Sequence, residues 1–267
     1  MSDPFEHPMP PRRLDVFAAV KEAYTGAWTH FGQMLRLTWL PGVLYIALIF
    51  VAALIDVEAN PILRFLLELA SLFIWPIIAV SWHRFILVGD VAPGPFHLQF
   101  GRREARFLMV SIFLGLLMLP GYLMAVISAV SAGASANTST SLVGFLGLIA
   151  LLIGIYYFVR LLLLLPAVAV DEPINARLIL ERTRENFWRL VALLLLASLP
   201  IAIAFLLVGT IVLSLGLPTF LVFVLASVFY IFFAIVGVAI LSIAYRDLVG
   251  PPGTLAFDLD KSDAPMN

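Results

Sequence analysis

Charged residues are absent from two long parts of this sequence. Phe107 to Val159 and Leu190 to Tyr245 contain no Asp, Glu, Lys, Arg or His over 53 and 56 consecutive positions. A water-soluble domain cannot bury such stretches, whereas each membrane-spanning helix needs roughly 20 residues without an unpaired charge. Each stretch therefore predicts two transmembrane helices joined by an uncharged turn.

Cysteine is also absent, which excludes disulfides, thiolate metal sites and cysteine nucleophiles. Charged residues make up 12% of the chain, whereas ordinary globular domains have about 25%. No nucleic-acid motif or glycine-rich phosphate loop occurs, and no second histidine or carboxylate has metal-ligand spacing with His83. We therefore expect no cofactor, no metal and no nucleic-acid partner.

The pattern predicts an all-α integral membrane protein of six transmembrane helices arranged as three helical hairpins. Between a polar, proline-rich tail at residues 1–13 and the first span, apolar residues recur at steps of three or four from Phe17 to Leu35 and predict an amphipathic surface helix. Pro173 to Arg189 predicts a second such helix. The predicted spans are Leu37–Ile55, Ile62–Trp82, Phe107–Ala129, Leu142–Val159, Leu190–Leu213 and Phe220–Tyr245, with a flexible C-terminal tail at residues 251–267.

The basic residues predict the orientation of the chain. Fifteen of the sixteen Lys and Arg residues lie before the first span, in the connections after the second and fourth spans, or after the sixth span. The turns Asp56–Asn60, Ser131–Ser141 and Leu215–Thr219 contain none. By the positive-inside rule, both termini are predicted to face the cytoplasm.

Four prolines inside the spans predict helix bends. Pro41, Pro120 and Pro200 follow one another at intervals of 79 and 80 residues, each after a leucine, and Pro76 lies in the second span. The spacing suggests an internal repeat of three hairpins, at about residues 14–88, 89–170 and 171–250. A proline removes one backbone hydrogen bond, so each bend is either structural or a hinge for transport.

Arg64 and Glu68 are the only charged pair expected within a span. They stand one helical turn apart near the outer end of the second span. An ionisable residue at that depth suggests a proton or cation site. The alternative is a simple i,i+4 ion pair that reaches toward the outer headgroups.

Other basic and aromatic residues lie where spans reach the cytoplasmic face. Snorkelling toward lipid phosphates accounts for them, and specific headgroup binding is the alternative. The residues concerned are Arg84, Arg160, Trp188, Arg189 and Arg246. In the fourth span, Gly144, Gly147, Ala150 and Gly154 predict close approach of another helix, either within the bundle or in a homo-oligomer.

The region after the fourth span resembles a known family. Arg160, the run Pro166 to Val170, then Ala176, Leu180, Thr183 and the run Asn186 to Leu190 resemble the pattern of the glycerophosphoryl diester phosphodiesterase membrane-domain superfamily. The segment from Ala27 through Trp28, Phe31 and Leu35 to Pro41 is similar to the N-terminal part of that family. The resemblance implies a six-span module of a bacterial inner membrane. It does not imply phosphodiesterase activity, because in that family the hydrolase is a separate soluble barrel.

Three classes of function are compatible with these features. The first is a non-enzymatic accessory, regulatory or scaffold module associated with membrane lipids, a protein partner or another copy of itself. The second is a transporter or channel for an apolar or amphipathic molecule. A membrane enzyme is the least supported, since catalysis on headgroups normally needs clustered acids, histidines or metal ligands.

Overall fold

The computed structural model describes residues 13–56, 58–90, 98–134, 138–216 and 219–255. Six of its helices are long and apolar enough to cross a membrane. The prediction of an all-α membrane protein with six spans is therefore confirmed. The predicted tails lie outside the described residues, apart from residue 13 and residues 251–255.

The long helices extend beyond the predicted spans at most ends. Charge-free windows mark the part of a helix that suits hydrocarbon, whereas backbone hydrogen bonding continues into the flanking charged residues. These helices are α2 (Phe31–Leu54), α3 (Pro61–Val88), α4 (Arg102–Ala134), α5 (Thr138–Leu161), α8 (Phe187–Ser214) and α9 (Thr219–Leu248). The shorter ones are α1 (Val16–Thr29), α6 (Leu164–Ala169) and α7 (Ala176–Arg182), and a 3-10 turn covers Arg184–Asn186.

The six long helices form three hairpins that close into a ring. Helices α2 and α3, α4 and α5, and α8 and α9 pack pairwise, and α3 meets α4, α5 meets α8, and α9 meets α3 and α2. We call the end that carries α6 and α7 the basic end and the opposite end, where each hairpin turns, the turn end. The internal sequence repeat stays a prediction.

The protein core lies at the basic end. Helix α6 is buried along almost its whole length, with Ala167, Val168 and Ala169 at 0% exposure. It contacts α3, α4 and α9. The buried parts of its neighbours, Ile77–Val80 on α3 and Ile243–Tyr245 on α9, lie toward the same end, whereas many apolar side chains of the turn halves remain uncovered by protein. The hairpins therefore converge at one end and separate toward the other.

Helix α1 packs along the bundle through a face of small residues. Asp15 caps it by accepting a hydrogen bond from the Ala18 amide at 3.0 Å. Ala19, Ala23 and Ala27 recur at steps of four and are each 1% exposed. Because alanine lets backbones approach closely, α1 docks on α8 and α9 through this face, and the aromatic residues Phe17 and Trp28 of the predicted stripe stay uncovered.

Two contacts fix the direction of α1. Near its start, the Leu14 amide donates to Asn186 Oδ1 at 3.1 Å and the Leu14 carbonyl accepts from Arg189 Nη1 at 2.9 Å. Further along, the Tyr24 hydroxyl donates to the Ala197 carbonyl at 2.6 Å. Helix α1 therefore runs alongside α8 in the same direction.

The first residues of the predicted C-terminal tail are packed. Leu255 is 0% exposed and belongs to the core, and the Gly253 amide donates to the Glu172 carboxylate. The prolines Pro251 and Pro252 follow the end of α9, as expected, because they cannot continue a helix. The tail predicted from residue 251 thus begins with a segment that contacts the bundle, and the rest of it lies outside the described residues.

Glycines bring α4 and α5 into backbone contact. A Cβ atom at Gly121 would lie 2.5 Å from the Leu151 nitrogen, and one at Gly154 would lie 2.7 Å from the Leu117 carbonyl oxygen. Gly144 and Gly147 face Ser128 and Met124 of α4 in the same way. Three of the four small residues noted in the fourth span thus serve packing within a hairpin.

We expect Gly121→Ala to destabilise the protein by about 1–3 kcal/mol, because the added methyl group meets backbone that cannot move away. The control is Gly115→Ala on the same helix, where nothing lies within 4 Å of the new Cβ. Unfolding by titration with a denaturing detergent would measure both. Equal stability of the two variants would contradict the close packing.

Candidate functional site

An apolar groove lies between α2, α3, α8 and α9. It consists of two adjoining hollows of about 450 Å³ and 180 Å³ that share Ile46 and Tyr230. We call it the α2–α9 groove. The larger hollow is lined by Ile46, Ile49, Ile201, Ala202, Phe205, Ala226, Ser227, Phe229, Tyr230 and Phe233. The smaller is lined by Leu35, Thr38, Trp39, Gly42, Val43, Tyr45, Ile46, Trp75, Ile78, Trp82, Tyr230, Ile231 and Ala234.

The groove follows from the separation of the hairpins. At the basic end α9 packs against α3, but toward the turn end α2 and the α8–α9 hairpin diverge. Phe205, Tyr230 and Phe233 line the groove and are still 49%, 43% and 44% exposed. The groove is therefore open at the side of the bundle and within the membrane-spanning part of the helices.

Two tyrosines join the walls of the groove. The hydroxyls of Tyr45 on α2 and Tyr230 on α9 lie 3.0 Å apart, and their rings stack with centroids at 6.1 Å. Tyr45 also faces Trp75 of α3 at 5.9 Å, and Trp75 meets Trp82 edge to face at 6.5 Å. These aromatic residues thus contact one another along the groove, and their hydroxyl and indole groups are most of its polar atoms.

The bend predicted at Pro41 corresponds to a break in α2 at the same groove. Thr38 leaves the helical region with φ −124° and ψ 19°. Proline lacks the amide that would bond four residues back, which weakens the helix at this point. The Thr38 hydroxyl and the Trp82 indole both donate to the Met34 carbonyl, at 3.1 Å and 2.9 Å. These two hydrogen bonds hold the part of α2 that lies between the break and the basic end. Beyond the break, α2 continues along the groove.

The other three prolines also lie inside long helices. Pro76 is in α3, Pro120 in α4 and Pro200 in α8. Pro76 is buried, next to the core residues Ile77 and Ile78. A role as hinges stays a prediction for all three.

Arg64 and Glu68 form an ion pair at the turn end. Arg64 Nε lies 3.0 Å from Glu68 Oε1, with the two side chains 34% and 56% exposed. The pair borders a small hollow of about 150 Å³ between α2 and α3, together with Leu48, Ile49 and Ser71. This geometry matches the i,i+4 ion pair, while a proton or cation site at Glu68 stays a prediction.

Arg160 lies inside the protein, where other residues bind its guanidinium. It is 6% exposed, and its guanidinium donates to Thr183 Oγ1 at 3.1 Å, to the Tyr156 hydroxyl and to the Leu180 carbonyl. The chain after α5 folds back as α6 and α7 and covers the side chain. The predicted snorkelling therefore does not occur at this position.

Arg84 is held by an acidic residue that sequence reasoning did not select. Its guanidinium meets Asp90 at 2.7 Å and Asp171 at 3.1 Å, and Arg103 binds the same Asp171 carboxylate with two hydrogen bonds of 2.8 Å and 2.6 Å. Asp171 follows α6 and adopts a left-handed φ of 66°. Asp171 thus links the end of α3 and the start of α4 to the segment that follows α6.

The remaining predicted headgroup contacts differ in their surroundings. Arg246 binds the Glu22 carboxylate with bonds of 2.7 Å and 2.9 Å and so joins α9 to α1. These hydrogen bonds hold the pKa of Glu22 below its usual value. Arg189 donates to the Leu14 carbonyl, whereas Trp188 is 77% exposed, and its contact with headgroups stays a prediction.

Among the described residues, no group of three or more His, Asp and Glu side chains is placed to hold a metal ion. His83 is 1% exposed, and its Nδ1 lies 2.8 Å from the Ser242 hydroxyl, which donates to the Val238 carbonyl at 2.9 Å. With that hydroxyl proton engaged, Nδ1 carries the proton of the pair and donates to Ser242. His83 thus joins α3 to α9 in the core.

Comparisons of the chain with protein-family models, curated proteins and solved structures gave no match. The resemblance to the glycerophosphoryl diester phosphodiesterase membrane-domain superfamily therefore stays a prediction. Its motif residues nevertheless have a common place in the structure. The run from Pro166 forms most of α6, Leu180 and Thr183 bind Arg160, and Asn186 binds the Leu14 amide just before α1.

We expect Asp171→Asn to lower the free energy of unfolding by about 1 kcal/mol, because it removes the charge that Arg103 and Arg84 share at a half-exposed position. The hydrogen bonds from Arg103 hold the pKa of Asp171 below its usual value. A lowered pKa stabilises the fold above the unfolded-state pKa of about 4, and this contribution is lost as the pH falls further. Stability measured between pH 6 and pH 3 should therefore decline less in the variant than in the wild type.

The matched control is Asp247→Asn, since the one ion pair of Asp247 within the described residues is with the neighbouring Arg246, at 3.1 Å. This change should leave stability within about 0.5 kcal/mol and keep the acid sensitivity. If Asp171→Asn has the same pH profile as the wild type, Asp171 does not fasten the basic end.

Proposed function

We propose that this chain is a non-enzymatic accessory, regulatory or scaffold module of a bacterial inner membrane, and that it holds a lipid acyl chain in the α2–α9 groove. Both termini face the cytoplasm in this proposal, because the basic end carries nearly all of the Lys and Arg residues. The observation that carries the proposal is an apolar groove of about 450 Å³ open to the side of the membrane-spanning helices.

The position of the groove favours an acyl chain as its occupant. Within the hydrocarbon region, the molecules available to fill a lateral opening are lipid tails, because water is scarce there. The lining consists of aliphatic and aromatic side chains, apart from Ser227 and Tyr230 in the larger hollow. Such a surface binds an apolar chain by close van der Waals contact, and it suits binding better than catalysis.

The uncovered faces of the second hairpin support the scaffold part of the proposal. In the turn half, α4 and α5 contact each other but leave Tyr122, Val130 and Phe145 at least 60% exposed. In a bilayer these faces meet lipid, a protein partner or a second copy of the chain. A module of this kind would bring a bound lipid and a partner together at one place in the membrane.

We expect Ala202→Phe to reduce occupancy of the groove by an acyl chain at least threefold, because the added ring fills the larger hollow. The measurement is quenching of tryptophan fluorescence in nanodiscs that contain phosphatidylcholine with brominated acyl chains. Trp28 and Trp188, which are 78% and 77% exposed, are first replaced by Phe so that the signal comes from Trp39, Trp75 and Trp82 in the groove.

The matched control is Leu206→Phe, which adds a ring to the same helix at a position 66% exposed and outside the groove lining. This variant should show the quenching of the parent protein. Identical quenching in the parent, Ala202→Phe and Leu206→Phe would mean that no acyl chain occupies the groove.

A transporter of an apolar or amphipathic molecule is the second candidate, and the break in α2 favours it. Thr38 and Gly42 line the groove on either side of Pro41, so a change of bend would alter the width of the groove. Proteoliposomes that carry a fluorescent lipid in one leaflet would show faster exchange than protein-free liposomes. Pro41→Ala would slow that exchange by straightening α2, whereas exchange at the protein-free rate would exclude this candidate.

A further inference from the structure

The tyrosine pair leaves one hydroxyl proton without an acceptor. Tyr45 and Tyr230 each carry one O–H group, and their oxygens lie 3.0 Å apart. One hydroxyl donates to the other, so the second proton points elsewhere. The structure gives neither hydroxyl another hydrogen-bond partner among the described residues. The pair therefore presents one donor to the groove.

A second donor lies beside the first. The Trp75 ring is 5.9 Å from the Tyr45 ring and lines the same hollow. Its indole N–H can only donate, and within the described part of the chain it has no hydrogen-bond partner. Two further donors that line this hollow, Thr38 and Trp82, are bound to the Met34 carbonyl.

These donors lie deep in the membrane-spanning part of the protein. Tyr45 is nine residues from the end of α2 at Leu54, and Tyr230 is eleven residues from the start of α9 at Thr219. At 1.5 Å per residue these intervals correspond to about 14 Å and 17 Å along the helices, which is near the middle of a 30 Å hydrocarbon layer. Water cannot readily satisfy them there, and an unsatisfied polar group in hydrocarbon is costly.

We propose that the α2–α9 groove selects a neutral fatty-acyl ester, a lipid whose ester carbonyl accepts hydrogen bonds from the Tyr45–Tyr230 pair and from Trp75. This inference rests on the proposed function and names the class of lipid. An ester carbonyl accepts two hydrogen bonds and carries no charge, so it complements two donors at a depth where an ion is strongly disfavoured.

The charge of the turn end acts against an anionic lipid. The described charged residues there are Asp56, Glu58, Arg64 and Glu68, with one positive and three negative side chains. An anionic headgroup that entered from this end would meet net repulsion before its chain reached the groove. A neutral ester meets no such barrier.

The test compares three probes that share a brominated chain: methyl 9,10-dibromostearate, 9,10-dibromooctadecane and the 9,10-dibromostearate anion. Each is titrated into nanodiscs that hold the Trp28→Phe/Trp188→Phe protein, and quenching of the groove tryptophans reports binding. We expect the ester to bind about tenfold more tightly than the alkane, as one to two hydrogen bonds would give. The anion should bind more weakly than the ester.

The variants are chosen by how many free hydroxyl protons they leave in the tyrosine pair. Tyr45→Phe or Tyr230→Phe alone leaves one free hydroxyl, so each single change should keep the preference for the ester within about threefold. Tyr45→Phe combined with Tyr230→Phe removes the phenolic donor and should lower the preference several-fold without weakening the alkane. Tyr122→Phe, at a position 61% exposed on α4, is the matched control and should change nothing.

The outcomes separate this inference from the proposed function. If the alkane binds but the ester has no advantage, or if the double variant keeps the full preference, the tyrosine pair does not recognise the ester and the acyl-chain proposal still stands. If neither neutral probe quenches the tryptophans, both proposals fail. Unfolding measured on each variant shows whether a loss of binding follows from loss of the fold.

Discussion

The burial of α6 is the constraint on which the rest of the bundle depends. A six-residue helix has many backbone groups without a partner inside the helix, so other elements must cover it and satisfy those groups when it is buried. Helices α3, α4 and α9 provide that cover, while Arg160 and Asp171 secure the chain just before and just after it. Each of the three hairpins is thereby fixed at the same end of the molecule, and small residues such as Ala167 and Ala169 allow the close approach.

Because the hairpins converge at the basic end, the surrounding membrane must cover much of their surface at the turn end. In water, the uncovered aliphatic side chains of the turn half would be driven together, but lipid tails are as apolar as leucine and remove that driving force. The hairpins can therefore separate without a large loss of free energy wherever their polar backbone groups are satisfied within each helix. The α2–α9 groove is a direct result of this geometry, because α2 leaves α9 after the tyrosine pair.

The sequence could predict the spans and turns because charge alone determines which segments tolerate hydrocarbon. It could not predict the burial of Arg160. In the sequence, an arginine at the end of an apolar run looks the same whether it snorkels to the membrane surface or is covered by a later segment of the chain. Here Thr183, 23 residues away along the chain, meets its guanidinium. Tyr45 and Tyr230 are 185 residues apart, and neither stands in a local pattern that differs from that of other aromatic residues in the spans. Contacts between distant segments of uniform composition leave no trace in periodicity or spacing.

The contrast between the two ends has a consequence for the part of α2 beyond Thr38. On the basic side of the break, Met34 is 1% exposed and its carbonyl accepts two side-chain hydrogen bonds, so that part is held firmly. Beyond the break, α2 still packs on α3, but the Tyr45–Tyr230 pair is its main described polar link to α9. A lipid in the groove would add contacts to α2, α8 and α9 together, and a ligand stabilises the arrangement that it binds. Occupancy of the groove and the position of this part of α2 are therefore coupled: whatever widens or narrows the groove must change the affinity for the lipid, and the lipid must in turn favour one width.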